Sequence, residues 1–220
     1  MCDEAVLGIF GFVLVLIISI PSSLNGISCN CAGHWNLQSR LYEDRRHDYD
    51  SARPPPIPAP LTTAFRAGLN LVRTEVADGS IPDTSHDACI VNFYPIGDER
   101  VGATTGRLGV HQDRDEASEV IATGDPIVSL SIGDAADFAY GRDRFEFDAK
   151  GFPVAMEGGS EPASVRLESG DLLVFGGNSR LVFHGVAGID KNTAPSWLHM
   201  VPGRLNFTFR NTGHVAGANE

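Results

Sequence analysis

Three residues in the second half of the chain have types and spacing that suit a metal ion. His111 and Asp113 lie two positions apart at the predicted end of a strand, so their side chains should leave the same face. His184 follows a second apolar run, Leu181–Phe183. Two imidazoles and one carboxylate suit Fe(II) and leave three coordination positions open, which a chelating 2-oxo acid and dioxygen would fill. The spacing alone is equally compatible with ordinary surface strand ends.

A second candidate site is the alternating segment 204–210. Its polar residues share one face and its apolar residues share the other: Arg204, Asn206, Thr208 and Arg210 against Leu205, Phe207 and Phe209. Two arginines on an inward face are costly unless they meet anions, and a dicarboxylate such as 2-oxoglutarate would supply one at each end. Asn92 and Tyr94 alternate similarly and could add neutral donors. The alternative is an outward polar face on an edge strand.

The region 33–53 is rich in aromatic and basic residues, among them Trp35, Arg40 and Tyr42. Interleaved aromatics and arginines can stack on bases and hold phosphates. A solvated connector is the alternative interpretation, and the spacing by itself favours it.

Composition sets limits on the function. The chain has 220 residues, with 17 Lys and Arg against 28 Asp and Glu, for a formal net charge of −11. This acidity argues against binding nucleic acid by bulk electrostatics but permits a local basic strip. With 42% hydrophobic and 20% charged residues, general disorder is excluded. The length suits one large domain, or one domain with an appendage.

Periodicity predicts one helix followed by a run of short strands. Apolar residues at helical spacing predict a helix over 61–77. Gly141–Pro162 is long and polar for a loop, which indicates a hairpin insertion or a flap. Short β-rich runs separated by turns indicate an antiparallel double sheet, a jelly roll or related barrel. The predicted strands are Ala88–Tyr94, Leu108–His111, Ile127–Ile132, Val165–Leu167, Leu172–Phe175, Leu181–His184 and Arg204–Arg210.

Several motifs in this order carry a specific resemblance. They are Asn92-Phe93-Tyr94, the HQDRDE run at 111–116, IVSLSIG at 127–133, LESGD at 167–171, GGNSR at 176–180, Phe183-His184-Gly185 and RLNFTFR at 204–210. The chain resembles the AlkB family of Fe(II)- and 2-oxoglutarate-dependent dioxygenases, closest to the bacterial AlkB type, over roughly residues 31–212. The resemblance implies a mainly β fold with flanking α elements: a jelly-roll, cupin-like double-stranded β-helix with a short N-terminal helix and a partial lid.

The resemblance also implies roles for individual residues. His111, Asp113 and His184 would bind Fe(II) and form the catalytic centre. The 2-oxoglutarate ligands would be Asn92, Tyr94 and Arg204 at the distal carboxylate, with Asn206 and Arg210 near the other end. In the nucleotide-recognition lid, Trp35 and Tyr42 fall where the family carries aromatics, and Arg40 falls where it has a second stacking residue. Asp115 matches the position that contacts the exocyclic amine of the base.

The implied activity is oxidative demethylation of N-alkylated bases, such as 1-methyladenine and 3-methylcytosine, in methylated DNA or RNA. The reaction uses Fe(II), O2 and 2-oxoglutarate and releases formaldehyde, succinate and CO2. A duplex substrate would need its base flipped out. Two alternatives are an Fe(II)/2-oxoglutarate oxygenase acting on a protein or small molecule, and an inactive truncated homologue. We expect a monomer.

The amino end differs from the family pattern. Residues 5–20 are almost wholly apolar. No basic residue precedes them, as one would in a signal peptide, and the segment is slightly shorter than a membrane-spanning helix. We therefore divide the chain into a leader or gene-model artefact (1–28), a partial lid with a Pro-rich linker (29–60), a dioxygenase domain (61–214) and a tail (215–220). Since a glycan on the sequon at Asn206 would block the cofactor pocket, we expect a cytoplasmic or nuclear protein without membrane association. Anchoring or export through residues 5–20 is the alternative.

Overall fold

The computed structural model describes residues 6–10, 13–17, 33–36, 38–47, 50–76, 79–97 and 105–213. Two four-stranded antiparallel sheets form the body of this part of the chain. The elements are β1 Val6–Phe10, β2 Val13–Ile17, β3 His34–Asn36, β4 Leu41–Glu43, α1 Ala59–Val76, β5 Ala88–Pro95, β6 Leu108–His111, α2 Ser118–Thr123, β7 Ile127–Gly133, β8 Ala136–Gly141, β9 Phe145–Phe147, β10 Pro153–Ala155, β11 Ala163–Leu167, β12 Leu172–Phe175, β13 Phe183–Val186 and β14 Gly203–Arg210. The sheet with the longer strands, here called the larger sheet, has the order β12-β7-β14-β5, and the smaller sheet has the order β11-β8-β13-β6. This is the predicted double-sheet jelly-roll architecture.

Helix α1 covers the outer face of the larger sheet. Apolar residues that recur every three or four positions form one stripe, and this stripe is buried against the sheet. The sheet contributes alternate apolar residues from all four of its strands, because successive side chains of a strand point to opposite faces. The shared core contains Leu61, Phe65, Leu69 and Val72 from α1 and Cys89, Val128, Leu130, Phe207 and Phe209 from the sheet.

The second core lies between the two sheets. It contains apolar side chains from β7, β8, β11, β12 and β13 and from the segment after β13. Its members include Ile127, Phe138, Tyr140, Leu167, Leu173, Phe175 and Val186. The polar face of β14 and the metal-ligand candidates lie on the same inner side, so this core forms the floor of the candidate site.

Strand β14 lies inside the larger sheet, between β7 and β5. Both of its faces are largely buried, including Arg204, Asn206 and Thr208. The alternative of an outward polar face on an edge strand is therefore wrong. Gly203 begins this strand with φ +145°, and a Cβ there would lie 2.5 Å from the backbone oxygen of Tyr94. Only glycine, which has no Cβ, allows the backbones of β5 and β14 to approach each other this closely next to Arg204.

One predicted strand needs correction. The predicted strand Leu181–His184 is found at Phe183–Val186 instead. The reason is that a 3-10 turn at Gly177–Ser179 extends until the Val182 amide donates to the Ser179 carbonyl at 3.1 Å. His184 is thus the second residue of its strand and not the last.

Strand β8 (Ala136–Gly141) was not predicted, because its small residues have little strand propensity. It is a strand because it lies between β11 and β13, which pair with both of its edges. The other predicted strands and the helix are present within a few residues of their expected bounds. The region 141–162 contains the antiparallel pair β9 and β10, which agrees with the hairpin interpretation.

The apolar head forms a two-stranded antiparallel sheet in its described part, with Val6 paired to Ile17 and Phe10 to Val13. Strand β2 runs close to β12, the outer strand of the larger sheet. Among the residues that the structure describes, none of the helices combines the length and the apolar character needed to cross a bilayer. The remainder of the predicted leader, the start of the lid region and the tail 215–220 lie outside the described residues.

Candidate metal and cofactor site

The three predicted metal ligands come together at one point between β6 and β13. His111 ends β6, and its Cα partner across the sheet is His184 of β13. Asp113 follows β6 by two residues and lies between the two imidazoles, 3.5 Å from His111 Nε2 and 3.7 Å from His184 Nε2. The three donor atoms lie within 4.8 Å of one another. The geometry therefore brings together the two-histidine, one-carboxylate set that suits Fe(II).

Each imidazole is oriented by the backbone carbonyl two residues before it. The Nδ1 of His111 lies 2.9 Å from the Gly109 carbonyl, and the Nδ1 of His184 lies 3.1 Å from the Val182 carbonyl. When Nδ1 donates to a carbonyl, Nε2 carries the free lone pair, which is the form that binds a metal. The His184 ring also stacks against Phe138, with ring centroids 5.3 Å apart. Its orientation is thus set by packing as well as by hydrogen bonding.

The electrostatics favour a charged aspartate and a neutral His184. Burial alone would raise the pKa of Asp113, but Arg210 and His111 outweigh this effect and hold that pKa well below its usual range. Burial lowers the pKa of His184. The pKa of His111 is raised, first by its hydrogen bond with Asp113. The carboxylate is therefore ionised and ready to bind a cation.

A buried ion-pair network lies behind Asp113, and sequence reasoning assigned it no role. Arg210 donates from Nη2 to Asp113 Oδ1 at 2.9 Å and from Nη1 to Glu116 Oε1 at 2.8 Å. Arg180 donates to Glu116 Oε2 at 2.8 Å and to the backbone carbonyl of Asp113 at 2.7 Å. Two arginines and two carboxylates therefore hold the metal-ligand segment against β14. No sequence signal pairs Glu116 with Arg180, because 64 positions separate them.

Arg204 presents a buried guanidinium for which the described residues offer no carboxylate partner. It is 3% exposed, and its Nη2 donates to Ser131 Oγ at 2.8 Å. Its Nε is buried without a hydrogen-bond partner in the described structure, and the guanidinium lies 5.9 Å from the centre of the Tyr94 ring. Burial lowers the pKa of Arg204 to about 10. An unmatched buried cation of this kind fits one carboxylate of a dicarboxylic acid.

The neighbouring cofactor candidates share the inner face of the larger sheet. Asn206 is the Cα partner of Asn92 on β5 and of Ser131 on β7, while Tyr94 is opposite Arg204. Asn206 donates to Ser129 Oγ at 2.6 Å and accepts from Thr208 Oγ1 at 2.8 Å. Ser129 and Ser131 were missed as site residues, although two serines at alternate positions in the apolar run 127–132 could have indicated an inward polar face.

This donor set fits the implied cofactors. The triad supplies neutral nitrogen and anionic oxygen ligands for Fe(II), and it leaves coordination positions for other ligands. The inner face of β14 supplies the unmatched cation that a carboxylate of 2-oxoglutarate requires. Fe(II) and 2-oxoglutarate are therefore compatible with the residues that the fold brings together.

The predicted lid residues lie on a short hairpin, β3 and β4. Trp35 and Tyr42 are cross-strand partners whose rings lie 5.0 Å apart and tilted by 53°. Tyr42 is buried, and this burial raises its pKa, with the nearby positive charge of Arg210 acting in the opposite direction. Tyr42 thus attaches the hairpin to the metal-ligand network, while Trp35 is only partly buried.

The same hairpin makes a second contact with the site through Arg40. Its Nη2 lies 3.1 Å from Asp115 Oδ1 and 3.5 Å from Asp115 Oδ2. Asp115 follows the metal ligand Asp113 by two residues and is about one-third exposed, at 32%. The candidate base-recognition carboxylate is therefore already paired with an arginine of the lid.

Comparisons with known proteins identify similar sequences and a similar structure. The sequence profile of the 2OG-Fe(II) oxygenase superfamily matches residues 23–210. The chain is 42% identical over 206 residues to the DNA N(6)-methyladenine demethylase ALKBH1D of Arabidopsis thaliana, covering 88% of this chain and 41% of that protein. It is 37% identical over 131 residues to the alpha-ketoglutarate-dependent dioxygenase AlkB homolog of Caulobacter vibrioides, covering 59% of this chain and 46% of that one.

Among solved structures, that of OsALKBH1 matches with a TM-score of 0.63 and 34% sequence identity, over 91% of this chain and 78% of the other. The chain spans about two-fifths of the length of its plant relative ALKBH1D. The profile covers both metal-ligand strands and the cofactor strand. The chain belongs to the 2OG-Fe(II) oxygenase superfamily and, within it, to the AlkB family.

Proposed function

We propose that this protein removes methyl groups from the nitrogens of nucleic-acid bases by oxidation. The observation that carries the proposal is the triad of His111, Asp113 and His184 with Asp115 at its rim. This arrangement pairs a site for Fe(II) with a carboxylate able to contact a base amine. The names of the relatives, an N(6)-methyladenine demethylase and an AlkB dioxygenase, support the same reaction class. Candidate bases include 1-methyladenine, 3-methylcytosine and N6-methyladenine.

The reaction balances without a further co-reactant. When bound, Fe(II) and 2-oxoglutarate supply the oxidation of the N-methyl C–H bond by O2. One oxygen atom enters succinate and the other enters the methyl group, while CO2 leaves the oxo acid. The resulting N-hydroxymethyl group breaks its C–N bond, and its hydroxyl proton passes to the base as formaldehyde departs.

The protein's own residues hold the partners of this reaction. We assign His111, Asp113 and His184 to the metal, and Arg204 with Tyr94 and Asn92 to the distal carboxylate of 2-oxoglutarate. Asn206 and Arg210 would lie near its other end. Arg210 supports Asp113 in the described structure, so it would serve both the cofactor and the metal ligand. For the substrate we assign Asp115 and the hairpin residues Trp35, Arg40 and Tyr42.

The proposed function is tested with the full chain, Fe(II), ascorbate, 2-oxoglutarate and oligonucleotides that each carry one methylated base. Loss of the methyl mark by nucleoside mass spectrometry, with matching formaldehyde and succinate, is the expected result. His111→Ala should abolish all three signals, whereas His199→Ala, a change at an exposed histidine, should leave them intact. Succinate release that no methylated oligonucleotide increases would instead indicate another substrate class. Iron binding without any turnover would indicate an inactive homologue.

We also infer a cytoplasmic or nuclear location. The support is Asn206, the acceptor of the Asn-Phe-Thr sequon in the cofactor strand. Its Nδ2 is committed to Ser129 Oγ inside the sheet, where a glycan has no room. Fractionation of cells that express the full chain with an epitope tag checks this location.

A further inference from the structure

The hairpin β3–β4 places a positive charge directly on the carboxylate expected to face the substrate base. Arg40 lies in the loop between the two strands, and its guanidinium is in ion-pair distance of both carboxylate oxygens of Asp115. The described part of the chain shows no other ion-pair partner for Asp115. The two charges therefore cancel beside the segment that bears Asp113.

The position of Arg40 is set by the hairpin and is not incidental. The Asn36 side chain accepts hydrogen bonds from the amides of Gln38 and Ser39, and the Arg40 amide donates to the Asn36 carbonyl. Asn36 in turn donates to Glu43 Oε1 at 3.1 Å. Arg40 has φ +55°, an unusual value for a side-chain-bearing residue, and this conformation is held by these bonds.

The hairpin is also fixed relative to the metal site. Tyr42 is buried next to Arg210, which itself bonds the metal ligand Asp113. Tyr42 thus attaches the hairpin to Arg210 at the end of β14, and Arg40 attaches it to Asp115 in the segment that bears the metal ligand. The Arg40–Asp115 pair is the second of these two attachments, between the hairpin and that segment.

The effect of the Arg40–Asp115 pair on substrate preference depends on the charge of the methylated base. Methylation at N1 of adenine or N3 of cytosine gives a cationic base, whereas methylation at N6 of adenine leaves a neutral one. A lone carboxylate favours the cation, because opposite charges attract. A carboxylate already paired with a guanidinium offers no net charge, yet its oxygens can still accept from an exocyclic N–H.

We propose that Arg40 is a specificity-determining residue that neutralises Asp115 and so shifts the site toward neutral methylated bases at the expense of cationic ones. This inference rests on the proposed demethylase function. Because the pair is solvent-accessible, with side-chain exposures of 71% and 32%, its contribution to the interaction energy is modest. Its removal should change the preference by about fivefold and should not abolish turnover.

The test measures kcat/KM for two otherwise identical oligonucleotides, one with 1-methyladenine and one with N6-methyladenine, mixed in the same tube. Arg40→Ala should raise the ratio of kcat/KM for the cationic 1-methyladenine substrate to kcat/KM for the neutral N6-methyladenine substrate about fivefold. Arg40→Lys, which keeps the charge, should return the ratio toward that of the wild type. Arg45→Ala is the matched control, because this exposed arginine of the same region bonds only the Ser51 carbonyl in the described structure.

Asp115 supplies the second arm of the test. In an Asp115→Asn background, Arg40→Ala should no longer change the ratio, because the carboxylate whose charge it cancels is gone. An equal loss for both substrates in Arg40→Ala would overturn the proposal and make Arg40 a general nucleic-acid contact. An unchanged ratio would also overturn it.

A binding measurement separates this inference from the proposed function. Fluorescence anisotropy of the two oligonucleotides, with the iron-loaded protein and without 2-oxoglutarate, gives their relative affinities with no turnover. If the wild type demethylates neither oligonucleotide, the proposed function fails, and the change in relative affinity still decides the role of Arg40. If demethylation proceeds and neither ratio responds to Arg40→Ala, only the role of Arg40 fails.

Discussion

Glu116 and Arg180 form a fully buried ion pair directly behind the metal-ligand segment. Their side chains are 0% and 3% exposed, and Arg180 Nη2 lies 2.8 Å from Glu116 Oε2. The second oxygen of Glu116 accepts from Arg210, which also binds Asp113. One carboxylate thus supports two arginines, and both arginines contact the metal ligand.

Glu116→Gln should destabilise the protein by about 3–5 kcal/mol, because it leaves two buried guanidinium groups with too little negative charge. Urea unfolding of the metal-free protein measures this loss. Glu119→Gln, at an exposed position in the first turn of α2, is the matched control and should cost less than about 1 kcal/mol. Equal stabilities of the two variants would contradict a supporting role for the Glu116 network.

His184→Ala should lower Fe(II) affinity by more than about 100-fold, because it removes one of three ligands. The readout is anaerobic Fe(II) titration, which does not depend on turnover. His199→Ala serves as the control, as an exposed histidine outside the triad. Undiminished iron binding in His184→Ala would exclude this residue as a ligand.

Arg204→Met should separate cofactor binding from stability. It should weaken 2-oxoglutarate binding by about 2–5 kcal/mol, since the dicarboxylate loses its buried cation. The metal-free, cofactor-free variant should be at least as stable as the wild type, because Arg204 is buried there with no carboxylate partner among the described residues. Calorimetric titration with 2-oxoglutarate measures the affinity for the cofactor, and urea unfolding measures the stability. The control is Arg66→Met on the exposed side of α1, which should change neither the affinity for 2-oxoglutarate nor the stability. A large loss of stability in Arg204→Met would indicate that Arg204 has a structural role instead.

The stability of the protein should decrease as the pH falls below about 6.5, in part because of His86. Burial lowers the pKa of His86, which lies against Phe65 and contacts the Pro126 carbonyl. As the pH falls below about 6.5, the unfolded chain binds a proton at this histidine that the folded chain does not bind. The free energy of unfolding therefore decreases as the pH falls through this range, and it is fully restored at higher pH. Measured unfolding from pH 5 to 8 should show a shallower slope for His86→Gln. An identical slope in both proteins would show that His86 does not contribute.

Much of the fold was readable from periodicity. The stripe Leu61, Phe65, Leu69 and Val72 predicted α1, and alternation predicted the polar face of β14, because side-chain direction follows directly from helix and strand geometry. Strand β8 was missed, since its alanines have little strand propensity and only its place between two other strands makes it one. The start of β13 was misplaced because a 3-10 turn precedes it.

The sequence by itself determined the chemistry available to this protein: the triad His111, Asp113 and His184, the arginines of 204–210 and the family to which these motifs belong. Tertiary structure alone decided which charged side chains form ion pairs. It buried β14 in the middle of a sheet, joined Glu116 to Arg180, and set Arg40 against Asp115. Ligand types are properties of single residues and short spacings, whereas ion pairs between distant segments exist only after the sheets and the hairpin have packed together.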